Sequence, residues 1–231
     1  MLLSDKDIKR ELIKRNNLMI HPLKVENIKG SSINLTASKF AWRISDGKSA
    51  VNGNKIVIPP NDTVCICTEE AIWVSRRIGG TYHSKVSQTS KGLGHIATTL
   101  DPQWYGLSLV AVPNHTSKPI DILVGSSFVT VMLSYVNTPS TKGLGENAAS
   151  RPDISKRFEQ SDEEELFLNS QWHRSYEGIK DAMINSESYK KLVKDKNKVR
   201  QGIGDICRHP LVSAIIGGVV VAVILKLLGI K

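Results

Sequence analysis

A chain of 231 residues has room for one sizeable domain with appendages. Its 31 Lys and Arg outnumber its 22 Asp and Glu, a basic balance that suits nucleotides, nucleic acid or an anionic membrane face. Three cysteines exclude a disulfide framework, and MLLSDKDIKRELIKR is charged too early for the apolar run of a signal peptide, so none is expected.

Ser4 to Asn16 is predicted to be a helix. Ser4 can cap it, Asp5 and Asp7 suit its first turn, and Ile8, Leu12 and Ile13 form an apolar stripe. His21-Pro22 then turns the chain to extended structure. From there to about residue 137 the pattern is strand-like. Ser32 to Leu35 alternates, Lys55 to Ile58 runs into Pro59-Pro60, and Val64 to Cys67 and Ala71 to Val74 are short apolar runs. Leu107 to Val112, Ile120 to Val124 and Phe128 to Leu133 complete the series. Many short strands with Gly, Pro and Asn turns predict a mainly β domain, a sandwich or barrel. Cys65 and Cys67 face the same side of one strand and are expected in the core rather than on a metal. A reducing, cytoplasmic location for this domain follows.

Between strand-like runs lies Tyr82 to Gly106, polar, rich in hydroxyls and punctuated by glycine. It is where a chemical site is expected. Residues 138–153 hold Pro, Ser, Thr, Gly and Asn and are expected to form a linker. Residues 154–209 are expected to be a helical, basic juxtamembrane region. Leu168, Trp172, Tyr176, Ile179 and Met183 repeat at helical period, a stripe suited either to packing on the β domain or to self-association. Residues 190–208 carry seven Lys or Arg.

Residues 210–231 are predicted to be a transmembrane tail anchor. Leu211 to Leu225 holds no charge, and a helix from Leu211 to Ile230 is about 30 Å long, close to the hydrocarbon thickness of a bilayer. Lys226 lies near its far end, where it can snorkel. The preceding basic block places the main domain in the cytoplasm, making this a single-pass membrane protein. That block adjoins the span, so anionic lipid is its expected partner rather than nucleic acid.

Several segments in order resemble the dCTP deaminase branch of the dUTPase-like superfamily. MLLSDKDIKREL resembles the family's I-L-S-D-x-x-I start, and Gly30 to Leu35 resembles P-S-S-I-D-L with Asn34 for Asp. Ile58-Pro59-Pro60 and Thr68-Glu69 resemble its L-P-P and T-x-E elements. Leu100 to Gly106, LDPQWYG, resembles I-D-P-G-W-x-G, and Gly125 to Leu133 sits at the G-x-x-I-x-Q segment. The match spans residues 1–137.

The resemblance implies a dUTPase-like distorted β-barrel assembled as a homotrimer, with nucleotide sites between subunits. It implies a deoxynucleoside triphosphate as ligand, dCTP or dUTP. It implies no tightly bound cofactor and no protein-bound metal, with Mg arriving on the triphosphate. Tyr82 to Gln88 aligns with the phosphate-holding G-R-S-S-x-x-R stretch: Ser84 is retained, His83 and Gln88 stand at the two arginines, and Lys85 adds a charge. Ser84, Lys85, Ser87, Gln88, His95 and Trp104 are the implied nucleotide contacts. In the deaminases a glutamate beyond the D-P-G-W turn moves protons. Here that position is Ala111, and no carboxylate lies between Gly106 and Asp121. In the dUTPase branch the aspartate of the turn orients water, which makes Asp101 the candidate catalytic residue. Three functions are thus weighed: a catalytically impaired nucleotide sensor or membrane effector, a tethered dCTP deaminase or dUTP diphosphatase, and a trimerising scaffold for the anchor.

Overall fold

The computed structural model describes residues 1–94, 96–141, 156–208 and 227–228. The chain divides into two units, Met1–Tyr189 and Lys190–Lys231.

Helix α1 (Asp5–Lys14) opens on a capping box. Ser4 Oγ accepts the Asp7 N–H at 3.2 Å, and Asp7 Oδ2 accepts the Ser4 N–H at 3.0 Å. It ends where Arg15 turns left-handed at φ 60°. Its buried face is Ile8, Glu11 and Leu12. Ile13 is half-exposed, because Glu11 occupies that flank: its carboxylate accepts Asn17 Nδ2 at 2.7 Å and the Tyr135 hydroxyl at 2.8 Å.

The fold is mainly β. Eleven strands follow among the described residues: β1 (Leu18–His21), β2 (Ile28–Lys29), β3 (Ser32–Arg43), β4 (Val51–Asn52), β5 (Lys55–Ile58), β6 (Thr63–Val74), β7 (Ile78–Ser84), β8 (Ala97–Leu100), β9 (Tyr105–Pro113), β10 (Ile120–Leu123) and β11 (Ser127–Tyr135). All pairings are antiparallel. The large sheet runs β1-β6-β3-β11-β7-β8, with β2 on β3 and β9 on β6; the small sheet is β10-β5-β4.

Val64–Cys67 and Ala71–Val74, separate runs by pattern, belong to the single strand β6. The polar Thr68-Glu69-Glu70 between them hides the continuity. One edge of β6 is covered by β9. The other is shared, with β3 along Val64–Thr68 and β1 along Ala71–Val74. The register slips where the partner changes, between Cys67 and Ala71 against β9 and between Ala37 and Ala41 on β3. Side chains close the gap: Thr68 Oγ1 donates to the Glu70 carbonyl at 2.8 Å, and Glu70 Oε2 accepts the Thr36 N–H at 2.9 Å. Such irregularities bend a strand and raise its twist, which curls the sheet around its core. Leu35, Trp42, Ile66, Phe128 and Val131 are buried there.

Past residue 156 the chain returns to the β domain as a strap. Phe158 stacks on Trp42 with ring centroids 5.3 Å apart. Helix α3 (Asp162–Leu168) is capped by Ser161. A 3-10 turn, Gln171–His173, leads to helix α4 (Tyr176–Asn185), which lies on β1. For its inner residues, the stripe left open between packing and self-association is core. Ile179 and Met183 are fully buried, Leu168 is buried, and Met183 Sδ accepts the Ile20 N–H at 3.5 Å. Tyr176 meets Trp73 edge-on at 4.8 Å. Helix α5 (Glu187–Arg208) carries the chain onward, and from Lys190 it belongs to the second unit.

Among the described residues no helix is long and apolar enough to cross a membrane. The span expected at 210–231 lies outside them except for Leu227 and Leu228, and most of the expected linker, 142–153, lies outside them too.

The strap predicts a folding cost at α4. Met183→Ala should lower unfolding stability by about 2–5 kcal/mol, independent of protein concentration, in chemical denaturation followed by circular dichroism. A loss that vanishes on dilution would mean that Met183 packs between copies.

Candidate functional site

Strands β7 and β8 form the hairpin that carries the candidate site. Gly80 pairs with Leu100, Thr81 with Thr99 and His83 with Ala97. The other edge of β7 lies on β11. At Gly80 the backbones approach so closely that a Cβ would fall 2.6 Å from the Met132 carbonyl oxygen. Beside this hairpin is a cavity of about 540 Å³ whose lining includes Gly80, Thr81, His83, Thr99, Asp101 and Met132.

Asp101 is exposed at the end of β8. Its turn is closed by the backbone, the Trp104 N–H donating to the Asp101 carbonyl at 3.1 Å. Gln103 at φ 69° and Gly106 at φ 118° complete the reversal. Among the described residues the Asp101 carboxylate takes no hydrogen bond and no ion pair. The turn therefore does not use this side chain, which stands free at the cavity. His83 shares the cavity, with Nε2 at 2.8 Å from Thr81 Oγ1.

The expected phosphate contacts are placed elsewhere, at the base of the loop between β7 and β8. Ser84 Oγ accepts the Ile96 N–H at 2.5 Å and donates to the Gly94 carbonyl at 3.3 Å, so it staples the loop shut. Lys85 precedes the one-turn helix α2 (Val86–Thr89). It is half-buried, and burial together with the nearby Lys29 pushes its pKa down. No carboxylate lies within 4.0 Å of it among the described residues. A lysine held beside another cation without a counter-charge favours an anion. Ser87 is exposed. Gln88 is buried with Oε1 lacking a hydrogen-bond partner among the described residues, and Trp104 is buried with Nε1 in the same state. His95 lies outside the described residues. Asp101 and His83 thus come together in one cavity, whereas Ser84, Lys85, Ser87, Gln88 and Trp104 are not among its lining.

Ala111 is exposed on β9 opposite Cys65, and no acid stands anywhere on that strand. Cys65 and Cys67 are buried. Burial pushes their thiols up to about 11 and about 12, so both remain neutral packing groups. Among the described residues no group of three His, Cys, Asp or Glu is placed to hold a metal.

Two features escaped the pattern reading. One is a buried polar line through the sheet. The Tyr82 hydroxyl lies 2.5 Å from Ser108 Oγ, the Ser108 N–H donates to Thr68 Oγ1 at 3.0 Å, and Thr68 leads to Glu70. Burial holds Tyr82 at about 12 and raises the Glu70 pKa. Adjacent glutamates inside a β run were the available signal. The other is a second cavity under the strap, for which only the aromatic spacing of 158–176 gave notice.

The Ser84 staple predicts a local phenotype. Ser84→Ala leaves the Ile96 N–H without its acceptor and should cost about 1 kcal/mol, with faster hydrogen exchange at Ile96 than at β9 amides. Unchanged protection at Ile96 would count against the staple.

No family model matches the chain. A probable deoxyuridine 5'-triphosphate nucleotidohydrolase of Sulfolobus islandicus rod-shaped virus 1 is 28% identical over 142 residues, covering 62% of this chain and 89% of the viral protein. A dCTP deaminase of Pyrococcus horikoshii is 23% identical over 159 residues, covering 68% of this chain and 98% of that enzyme. Among solved structures, a 2'-deoxycytidine 5'-triphosphate deaminase from Agrobacterium tumefaciens is similar with a TM-score of 0.49 at 14% identity, covering 59% of this chain and 49% of that one. The sequence relatives support a likeness to the dCTP deaminase and dUTPase-like superfamily.

Proposed function

We propose that this chain is a membrane-anchored deoxynucleotide-binding protein of the dCTP deaminase and dUTPase-like kind, impaired in deamination, that acts as a nucleotide sensor or membrane effector. Its ligand is dCTP or dUTP, with Mg carried on the triphosphate, and its assembly is a homotrimer. The observation that carries this reading is the pairing of near-complete coverage of a viral dUTP nucleotidohydrolase and an archaeal dCTP deaminase with Ala111 on an acid-free β9. Alanine cannot move a proton, and general acid–base groups contribute roughly 10²- to 10⁴-fold. Lys85, half-buried beside Lys29 and without a carboxylate, is the phosphate contact. Residues 210–231 hold the protein in the bilayer, with the main domain in the cytoplasm.

A second reading has a specific observation behind it. The free Asp101 carboxylate beside His83 suits a dUTP diphosphatase, in which it orients water toward the phosphate chain.

Titrating the full-length protein in lipid nanodiscs with dCTP and dUTP, with Mg, decides between them. Saturable binding is expected, weakened about tenfold or more by Lys85→Ala, since a hydrogen bond to a charged group contributes about 1.5–3 kcal/mol. Ammonia release is expected to be absent. Pyrophosphate release abolished by Asp101→Ala would replace the sensor with the diphosphatase. Absence of both binding and turnover would leave only the scaffold role.

Deleting residues 210–231 is expected to move the protein to the soluble fraction on cell fractionation. Recovery of the truncated chain in membranes would sink the anchor.

A further inference from the structure

A second cavity, of about 590 Å³, lies between the β domain and the strap. The strand irregularities build one side of it. Ser38, Lys39 and Phe40 come from the segment of β3 where the register slips, and Glu69 from the corresponding segment of β6. Irregularities of this kind re-aim side chains out of the regular pleat. The strap builds the other side with Phe167 and Trp172.

The aromatic groups are fixed in place. Phe40 and Phe167 have ring centroids 4.5 Å apart. Trp172 is held edge-on by His21 at 5.3 Å and by His173 at 5.0 Å. Phe40 is buried and packs on Phe167, and His173 lies 5.7 Å from the same ring, whereas Phe167 and Trp172 line the cavity and are half-exposed.

The polar groups are mostly committed. Lys39 pairs with Glu163. Ser38 Oγ accepts the Phe40 N–H at 3.1 Å. Glu69 gives Oε2 to Lys24 at 2.7 Å and to the Thr36 hydroxyl at 3.0 Å. Glu69 Oε1 takes no hydrogen bond among the described residues. An anion entering here meets no unpaired cation. A flat ring meets the half-exposed rings of Phe167 and Trp172 and the Glu69 carboxylate; the other lining carboxylate, Glu163, is exposed and pairs with Lys39.

We propose that this cavity binds an aminated, uncharged heteroaromatic ring, the chemistry of an unphosphorylated nucleobase. The ring stacks on Phe167 and Trp172, and its amino group donates to Glu69 Oε1. The volume falls within the range of small-molecule sites, roughly 300–1,000 Å³. Stacking on aromatic side chains supplies affinity, and the half-buried Glu69 acceptor supplies selectivity for the amine. The site is separate from the Asp101 cavity, with which it shares no lining residue.

Calorimetric titration of the full-length protein in nanodiscs with adenine, and with purine as the isostere lacking the amino group, tests it. Adenine is expected to bind saturably and purine at least tenfold more weakly. Glu69→Ala and Trp172→Leu are each expected to weaken adenine at least tenfold, with folding checked by circular dichroism. If Trp172→Leu unfolds, Glu69→Ala decides alone. Lys85→Ala is expected to leave adenine affinity unchanged. Equal binding of adenine and purine, absence of saturation, or loss of adenine binding in Lys85→Ala would overturn the proposal. The last result would put adenine in the triphosphate site.

Discussion

Thr36 and Glu70 meet where β3 and β6 both leave their regular ladder. The Glu70 carboxylate is buried, accepts the Thr36 N–H at 2.9 Å, and lies 2.6 Å from Thr36 Oγ1. That hydroxyl also faces Glu69 Oε2 at 3.0 Å and Lys24 Nζ at 3.3 Å. It has one proton for two carboxylates. Burial raises the Glu70 pKa, while its hydrogen bonds from Thr36 and the nearby Lys24 hold it down. The Thr36 N–H and hydroxyl both find carboxylate acceptors in this network. Much depends on it, because β6 can change partners from β3 to β1 only if the backbone groups freed at the change find other partners.

The same joint sets what the strap can cover. Its slipped segments present Phe40 and Glu69, and the strap returns to meet them through aromatic pairs: Trp42 with Phe158, Phe40 with Phe167, His21 with Trp172 and Trp73 with Tyr176. Offset and edge-on aromatic pairs contribute about 0.5–1.5 kcal/mol each beyond their buried area. A segment that reads as an appendage is therefore part of the first unit. The cavity of Phe167 and Trp172 exists only because the strap does not fill the space above the joint.

Legibility in the sequence followed the strength of the local pattern. The capping of α1 by Ser4 and the strands β9, β10 and β11 were readable because capping chemistry and apolar runs are local. The continuity of β6 was not, because polar Thr68 to Glu70 resembles a break until Thr36 is known to lie opposite. Tyr82 opens a polar stretch in the sequence, yet it is buried in β7, its hydroxyl satisfied by Ser108 from a distant strand. Ser84, the expected phosphate contact, also holds the Ile96 amide and the Gly94 carbonyl of the loop, partners that spacing alone does not bring to it. Asp101 was legible as the mark of a turn. That the turn closes through its backbone and leaves this carboxylate without a partner among the described residues is a property of the fold, not of the local pattern.

On the proposed function these placements separate binding from chemistry. Charge suited to phosphate gathers at Lys85 and Lys29, while the free carboxylate stands with His83 in a different lining. Catalysis of deamination needs a proton carrier within hydrogen-bond reach of the ring. The position on β9 that the resemblance assigns to it is Ala111, whose neighbours Val110 and Val112 are buried apolar side chains. A shift of the strand by one residue would bring one of these outward and would break the pairing of Cys65, Ile66 and Cys67 with Ala111, Val110 and Leu109. The missing acid therefore cannot be supplied by sliding β9. It would have to come from outside this strand, and so a reading built on ligand binding needs fewer rearrangements of the sheet than one built on proton transfer.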